Sequence, residues 1–306
     1  MAIDNNTIRA MLALVLVQVL FGFNFVSSKQ VVAYFSPMTF ASLRFLISGI
    51  TLYIFVVIKE QKYFPRITDL KVWARILFLS IVGVAISQSL FLWGLKHSTV
   101  TNTAILSTSI PMFTLLIVWL SGHAKPSMQE GFGFSISLMG LLIFNNFEKF
   151  SMGSGTAQGD IAILMGCALM AVYISVCKGL FAQVSVLWGT TLIFLIGGLV
   201  LLPVAIQDIY SLTDVPAEKV VWSLVYSVFA ATLATYFINN WAYKYLSPST
   251  MSLFVYLQPL AAAAAAYQIF GEVLTTRKIF SAALIFCGML LAIHATYSTQ
   301  ENVPST

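Results

Sequence analysis

The chain alternates long apolar runs with short polar breaks at a near-regular spacing. Ten runs stand out, at roughly 9–30, 37–58, 70–94, 99–120, 128–147, 159–178, 186–206, 219–243, 248–270 and 278–297. An α-helix of about 20 apolar residues crosses the hydrocarbon core of a bilayer. The pattern therefore predicts an all-α membrane protein with ten transmembrane helices. Turn and charge signals separate the runs: Ser36-Pro37, Pro65, Lys125-Pro126, the polar stretch Ser151 to Gly155, and Asp214, Pro216 and Glu218. The first run meets no small-residue cleavage site and reads as a retained span. No loop between runs is long enough for a soluble domain, so the chemistry is expected in or beside the bilayer.

The two halves of the chain echo one another. At a shift of 148, Trp93 meets Trp241, Lys96 meets Lys244, Pro111 meets Pro259, Phe132 meets Phe280, Gly140 meets Gly288 and Leu142 meets Leu290. At a shift of 149, Lys29 meets Lys178. The register divides the chain at 1–150 and 151–306, with five spans in each part. Five is odd, so the second part enters the membrane from the opposite side. Such inverted repeats are common in secondary transporters.

Composition narrows the class further. The 306 residues are 59% hydrophobic and 9% charged, with a mean hydropathy of +0.89. Ordinary soluble proteins are about 25% charged. A soluble enzyme, a nucleic-acid binder and a disordered chain are all excluded. The net charge of +5 fits basic cytoplasmic loops. With the N-terminus inside, nine Lys and Arg fall on the inner side and six on the outer, mostly through the loop 59–75. Both termini are then cytoplasmic. The three cysteines, Cys167, Cys177 and Cys287, have no metal-type spacing and read as small apolar fillers.

Candidate site residues follow from the repeat. Pro111 and Pro259 interrupt matching helices, and each frees a carbonyl that must find another partner. Paired interruptions of this kind point to the substrate site, although a packing kink alone would also explain them. Polar side chains are costly inside spans. Asn24, Gln88, Asn239, Asn240 and Gln258 are the cavity candidates, with helix-to-helix hydrogen bonding as the plainer alternative. Trp93, Tyr173, Tyr236, Trp241 and Tyr256 lie on helices that would flank a central cavity. Tyr and Trp join an apolar face to one donor, which suits amphipathic solutes; an aromatic cage would equally suit a cation.

Arg44 is the clear ionisable residue within a span, and such a group is a functional candidate by default. Near the end of span two it could snorkel to the interface, form an internal pair, or attract a substrate carboxylate. No Asp or Glu falls at a span centre, which argues against cation antiport and favours a neutral or zwitterionic substrate. There is no phosphate-binding loop and no zinc spacing, and His97, His123 and His294 are scattered. No cofactor, metal or enzymatic activity is expected.

Taken in order, the local motifs resemble the EamA-type branch of the drug/metabolite transporter superfamily. They are Phe21-Gly22-Phe23-Asn24-Phe25 with Lys29, Ala41-Ser42-Leu43-Arg44-Phe45, Gly94-Leu95-Lys96, Ser107-Thr108-Ser109-Ile110-Pro111, Gly159-Asp160, Ala171-Val172-Tyr173, Gln258-Pro259, Gly271-Glu272 and Gly288. The family often has Trp in place of Phe21, and Gly-Glu where this chain has Gly122-His123. The resemblance implies an inner-membrane transporter, often an exporter, of small organic metabolites such as amino acids. Alternating access through a central cavity is the expected mechanism, and efflux of toxic organic compounds or drugs is the alternative. The expected partners are a small-molecule substrate and the lipid bilayer, without nucleic acid, and the expected state is a monomer or homodimer.

Overall fold

The computed structural model describes residues 5–60, 69–121, 128–145, 155–210, 216–242, 245–246 and 254–301. The described residues are helical and contain no strand. Contiguous pieces are labelled here α1 to α10. In the first half lie α1 (Asn5–Tyr34), α2 (Pro37–Glu60) and α3 (Leu70–His97). They are followed by α4, in the two pieces Val100–Ser107 and Ile110–Leu120, and by α5 (Met128–Asn145). The second half has α6 (Gly155–Phe181) and α7 (Val186–Tyr210). Next comes α8, built from Glu218–Val225, Tyr226–Ala234 and Thr235–Ala242. The half ends with α9 (Gln258–Phe270, after a 3₁₀ turn at Val255–Leu257) and α10 (Thr276–Glu301).

Six of these helices, α1, α2, α3, α6, α7 and α8, are long and apolar enough to cross a membrane as single rods. They are the first three of each half. Of the remaining four, α4 is split, so neither of its pieces spans on its own. Among the described residues, six of the ten predicted spans are thus seen as single rods long and apolar enough to cross a membrane.

Short caps set the helix starts. Ser36 precedes Pro37, whose fixed φ suits a first helical position. The Ser36 hydroxyl accepts from the Thr39 N–H at 3.2 Å, and the Asp208 carboxylate accepts from the Ser36 N–H at 3.1 Å and the Thr39 hydroxyl at 2.6 Å. An acidic side chain at the end of α7 thus caps the start of α2.

Glycines set the closest crossings. On the α2–α7 pair, Gly49 meets Leu195 and Gly198 meets Leu46. Both residues of the first contact shift by 149 to give the second. On the α5–α10 pair, Gly140 meets Ile285 and Gly288 meets Ser137, and here the exchange shift is 148. A methyl group at any of these four glycines would come within 3.0 Å of a neighbouring heavy atom, so close helix approach requires glycine there. The remaining long contacts run α3 along α6, α1 along α8, α1 against α9 and α4 against α6. The main buried cluster joins α1, α2, α3, α6, α7 and α9.

Candidate functional site

The proline motif of α4 breaks its helix instead of bending it, and that of α9 follows directly on a 3₁₀ turn at Val255–Leu257. After Ser107 the chain makes a turn at Thr108-Ser109 and restarts at Ile110-Pro111. The carbonyls that lose helical partners are taken up locally. The hydroxyls of Ser107, Thr108 and Ser109 donate to the carbonyls of Ala104, Ile105 and Leu106 at 2.8, 2.6 and 2.7 Å. Three consecutive hydroxylated residues before a proline are what makes the break tolerable within an apolar bundle. Pro259, buried, sits at the matching place in α9, one residue into the helix that follows the 3₁₀ turn.

The neighbouring helices α3 and α8 each carry a π-helical segment, Ser80–Ile86 and Tyr226–Ala234. These also correspond across the halves. Such segments concentrate at functional places, where one extra residue re-aims the side chains around it. In α3 the segment brings Gly83 against the Tyr173 ring so closely that a methyl at Gly83 would lie 2.1 Å from Tyr173 Cδ2. In α8 the Thr232 hydroxyl donates to the Ser227 carbonyl, five residues back, at 2.8 Å.

Several of the candidate side chains converge on the interior between these helices. Gln258 donates from Nε2 to Oε1 of the buried Gln18 on α1 at 2.8 Å. One and a half turns along α1, the Asn24 amide oxygen is buried and has no hydrogen-bond partner. Between them Gly22 touches Ala261 and Ala262 of α9. Tyr236 of α8 lies in the electrostatic neighbourhood of Tyr173 and packs against the buried cluster of Leu52, Val228 and Leu233. Gln88 shares a stripe of α3 with the buried Leu92 and Leu95 but is itself only half-buried.

Arg44 does not reach for the helix end. Its Nε donates to the Thr232 hydroxyl in the middle of α8 at 2.9 Å, and its guanidinium lies 5.7 Å from the Phe45 ring centroid. The side chain thus turns across to α8.

Other candidates are not brought to the interior. Trp93 is 37% exposed and stacks on His97 with ring centroids 4.1 Å apart. It lines an apolar surface groove of about 820 Å³ between α2, α3, α6 and α7, with Met38, Ile86, Met165 and Val204. Trp241 is 36% exposed and pairs with Tyr245 at 5.2 Å. Asn239 is half-buried. The side chains of Asn240 and Tyr256 lie outside the described residues.

A polar network occupies one end of the bundle, where α1, α3 and α9 finish and α4 and α6 begin. Lys29 Nζ donates to the carbonyls of Leu95, Lys96 and Ser98 at 2.6, 3.0 and 2.6 Å. A cation thereby sits on the C-terminus of α3. Glu272 does the converse, accepting from the N–H groups of Val100 and Thr101 at 2.8 and 2.9 Å at the N-terminus of α4. The Gly-Glu motif explains how. Gly271 ends α9 in the left-handed region at φ 67, and Glu272 N–H turns back to the Ala266 carbonyl. This αL cap throws the carboxylate sideways onto α4. Below them the buried Asp160 accepts from the Ser98 hydroxyl and from Asn102 Nδ2, the latter at 3.2 Å. Among the described residues no group of three or more His, Cys, Asp and Glu could hold a metal ion.

Two interior residues escaped the sequence reading, Gln18 and Thr232. A single Gln in the run Leu12 to Phe25 was the available signal for the first. Nothing distinguished Thr232 from the other hydroxyls of α8.

The EamA-like transporter family profile matches the chain twice, over residues 8–146 and 157–293. The chain is similar to the uncharacterized transporter YoaV of Bacillus subtilis, at 21% identity over 93% of this chain and 96% of that protein. It is similar to a WAT1-related protein of Arabidopsis thaliana, at 23% identity over 94% and 82%. A crystal structure of a protein at 13% identity shares the fold, with a TM-score of 0.63 over 96% of this chain and 99% of that one.

Proposed function

Because the chain belongs to the EamA-like transporter family, and so is a multi-pass membrane transporter, we propose that it carries small organic metabolites such as amino acids across the cell's inner membrane by alternating access. The observation that carries this reading is the pairing of interruptions. Breaks at Pro111 and Pro259 lie at matching places in α4 and α9, and π segments lie at matching places in α3 and α8. Matched discontinuities around a polar interior are where transporters of repeated design bind substrate. The exchanged contacts Gly49–Leu195 with Gly198–Leu46, and Gly140–Ile285 with Gly288–Ser137, support a pseudo-two-fold relation between residues 1–150 and 151–306. In this proposal each half contributes five crossings in opposite orientation, and both termini are cytoplasmic.

The interior suits an amphipathic solute. Tyr173 and Tyr236 offer aromatic rings, and Gln18 and Gln258 offer an amide pair. Transport runs outward in this reading.

The test is flux in proteoliposomes. The purified chain is loaded with a panel of unlabelled amino acids and offered their labelled forms outside. Saturable uptake with counterflow of at least one is expected. Movement of cationic dyes with no amino acid moving would replace this reading with efflux of toxic organic compounds; non-saturating flux without counterflow would replace the carrier with a channel.

A further inference from the structure

We propose that Arg44 is the anion anchor of the transport site, and that the substrate carries a carboxylate which its guanidinium holds. The inference rests on the carrier reading above and names the substrate class for the same interior.

A guanidinium has five N–H donors in a rigid fork and no acceptor. Here one donor is committed, Nε to the Thr232 hydroxyl at 2.9 Å. Thr232 is itself held, because its hydroxyl donates to the Ser227 carbonyl in the π segment of α8. This fixes the plane of the fork and leaves the Nη edge free. Among the described residues no carboxylate pairs with Arg44. Among the described residues the Nη atoms have no hydrogen-bond partner. An ionised group buried without a counter-charge is costly in a membrane protein. A bidentate oxyanion is the partner that a free guanidinium edge fits best.

The free edge belongs to the interior and not to the lipid face. The outward row of α2 is Ile50, Ile54, Val57 and Ile58, all exposed. Arg44 stands on the flank that meets α8, one turn of α8 before Tyr236, and Tyr236 neighbours Tyr173. The π segment that holds Thr232 also packs on α1, whose Asn24 amide oxygen is unpartnered.

The second half supplies a control that excludes packing as the reason for the charge. Across the halves, Arg44 corresponds to Ile193 at the shift of 149 that relates α2 and α7, and Thr232 corresponds to Val84 at the shift of 148 that relates α3 and α8. Ile193 and Val84 lie in one apolar buried cluster. The corresponding positions of the other half therefore carry apolar side chains. What Arg44 adds over an isoleucine is a charge and a fork.

The experiment measures binding to the full chain in a nonionic detergent, so that no lipid headgroup competes. The probes are 3-phenylpropanoate and 3-phenylpropanamide, which share shape and differ in charge. The native chain is expected to bind the carboxylate about ten-fold more tightly than the amide. Arg44→Ile should remove that preference while leaving the amide's affinity within about two-fold, and the apolar crossing of the other half predicts that this variant folds. Arg44→Lys keeps the charge without the fork and should retain a preference of about three-fold. Equal binding of the two probes to the native chain, binding of neither, or a preference that survives Arg44→Ile would each overturn the proposal. The flux panel separates the two levels: amino acids that move without any dependence on Arg44 would sink the anchor and leave the carrier standing.

Discussion

The crossing of α3 with α6 and the crossing of α8 with α1 occupy matching places in the two halves, yet their chemistry differs. At the first, Gly94 and Gly159 touch so closely that a methyl on either would lie 2.6 to 2.8 Å from the other's carbonyl oxygen. At the second, the matching positions are Ala242 and Ala10, buried with Leu14 and Leu246. One layer further out the contrast widens. Asp160 and Ser98 are hydrogen-bonded at the first crossing, whereas Met11 and Leu246 pack together at the second. Above the first crossing Lys29 and Glu272 cap two helix ends; the residue 148 before Glu272 is Ala124. Among the described residues, one backbone plan thus carries directional polar bonds at one end and apolar contact at the other. Polar bonds to helix termini are lost over a fraction of an ångström, and apolar contacts can slide. If the halves exchange conformations as proposed, the two closed states cannot be equal in energy, and the polar end is the more firmly held.

The glycine contact is the place to break that contrast most severely. Gly159→Val would drive two methyl groups into the backbone of Gly94 and His97. Overpacking of this kind costs about 3 kcal/mol where the obstacle is main chain. Thermal unfolding in detergent should show a large drop for Gly159→Val and a smaller one for Ala10→Val, whose neighbours are side chains that can shift. Equal drops would mean that the two crossings are mechanically alike.

Glu272→Ala comes next. It strips a charged acceptor from the first two N–H groups of α4 and leaves Lys29 without its nearest countercharge. Hydrogen bonds to a charged group contribute about 2 kcal/mol, which is about a thirty-fold change in an opening equilibrium. Hydrogen exchange at residues 100–103 should accelerate by about that factor, while exchange at residues 238–242, at the far end, stays within about two-fold. Acceleration at both ends alike would point to general loosening.

The contrast itself was only half legible in the sequence. Helix positions were readable because each apolar run is bounded by proline or charge. The expected 37–58 and 186–206 correspond to Pro37–Glu60 and Val186–Tyr210. The pairing of Gly140 with Gly288 was readable as a repeat, and the two meet the same α5–α10 crossing. The π segments were not readable. Ser80–Ile86 and Tyr226–Ala234 have the composition of ordinary helix, and the extra residue per turn is set by what packs against it, such as Tyr173 on Gly83. Trp93 and Trp241 show the limit of register arguments. A repeat states which residues are equivalent, not which way they face, and both turn to the surface. Glu272 was noticed only as half of a motif. Its partners on α4 lie 171 and 172 residues away in sequence, beyond any local pattern.

Salt offers the gentlest test, because it changes no residue and acts on only one kind of closure. Lys29 and Glu272 lie at the bundle's end, where Lys29 is half-buried and its contact with the Lys96 carbonyl is exposed. Raising ionic strength from about 0.05 M to about 1 M shortens the screening length from above 10 Å to about 3 Å. Charges at an aqueous rim then lose about 0.5 kcal/mol of mutual attraction, and apolar contacts are not weakened by it. Exchange at residues 100–103 should therefore rise about two-fold with salt, and exchange at residues 238–242 should hold or slow. In Glu272→Ala the salt response at residues 100–103 should vanish, because the pair that salt screens is already gone. A response that persisted in this variant would assign it to another charge pair at this end, Asp160 with Lys278, instead of to the Lys29–Glu272 caps.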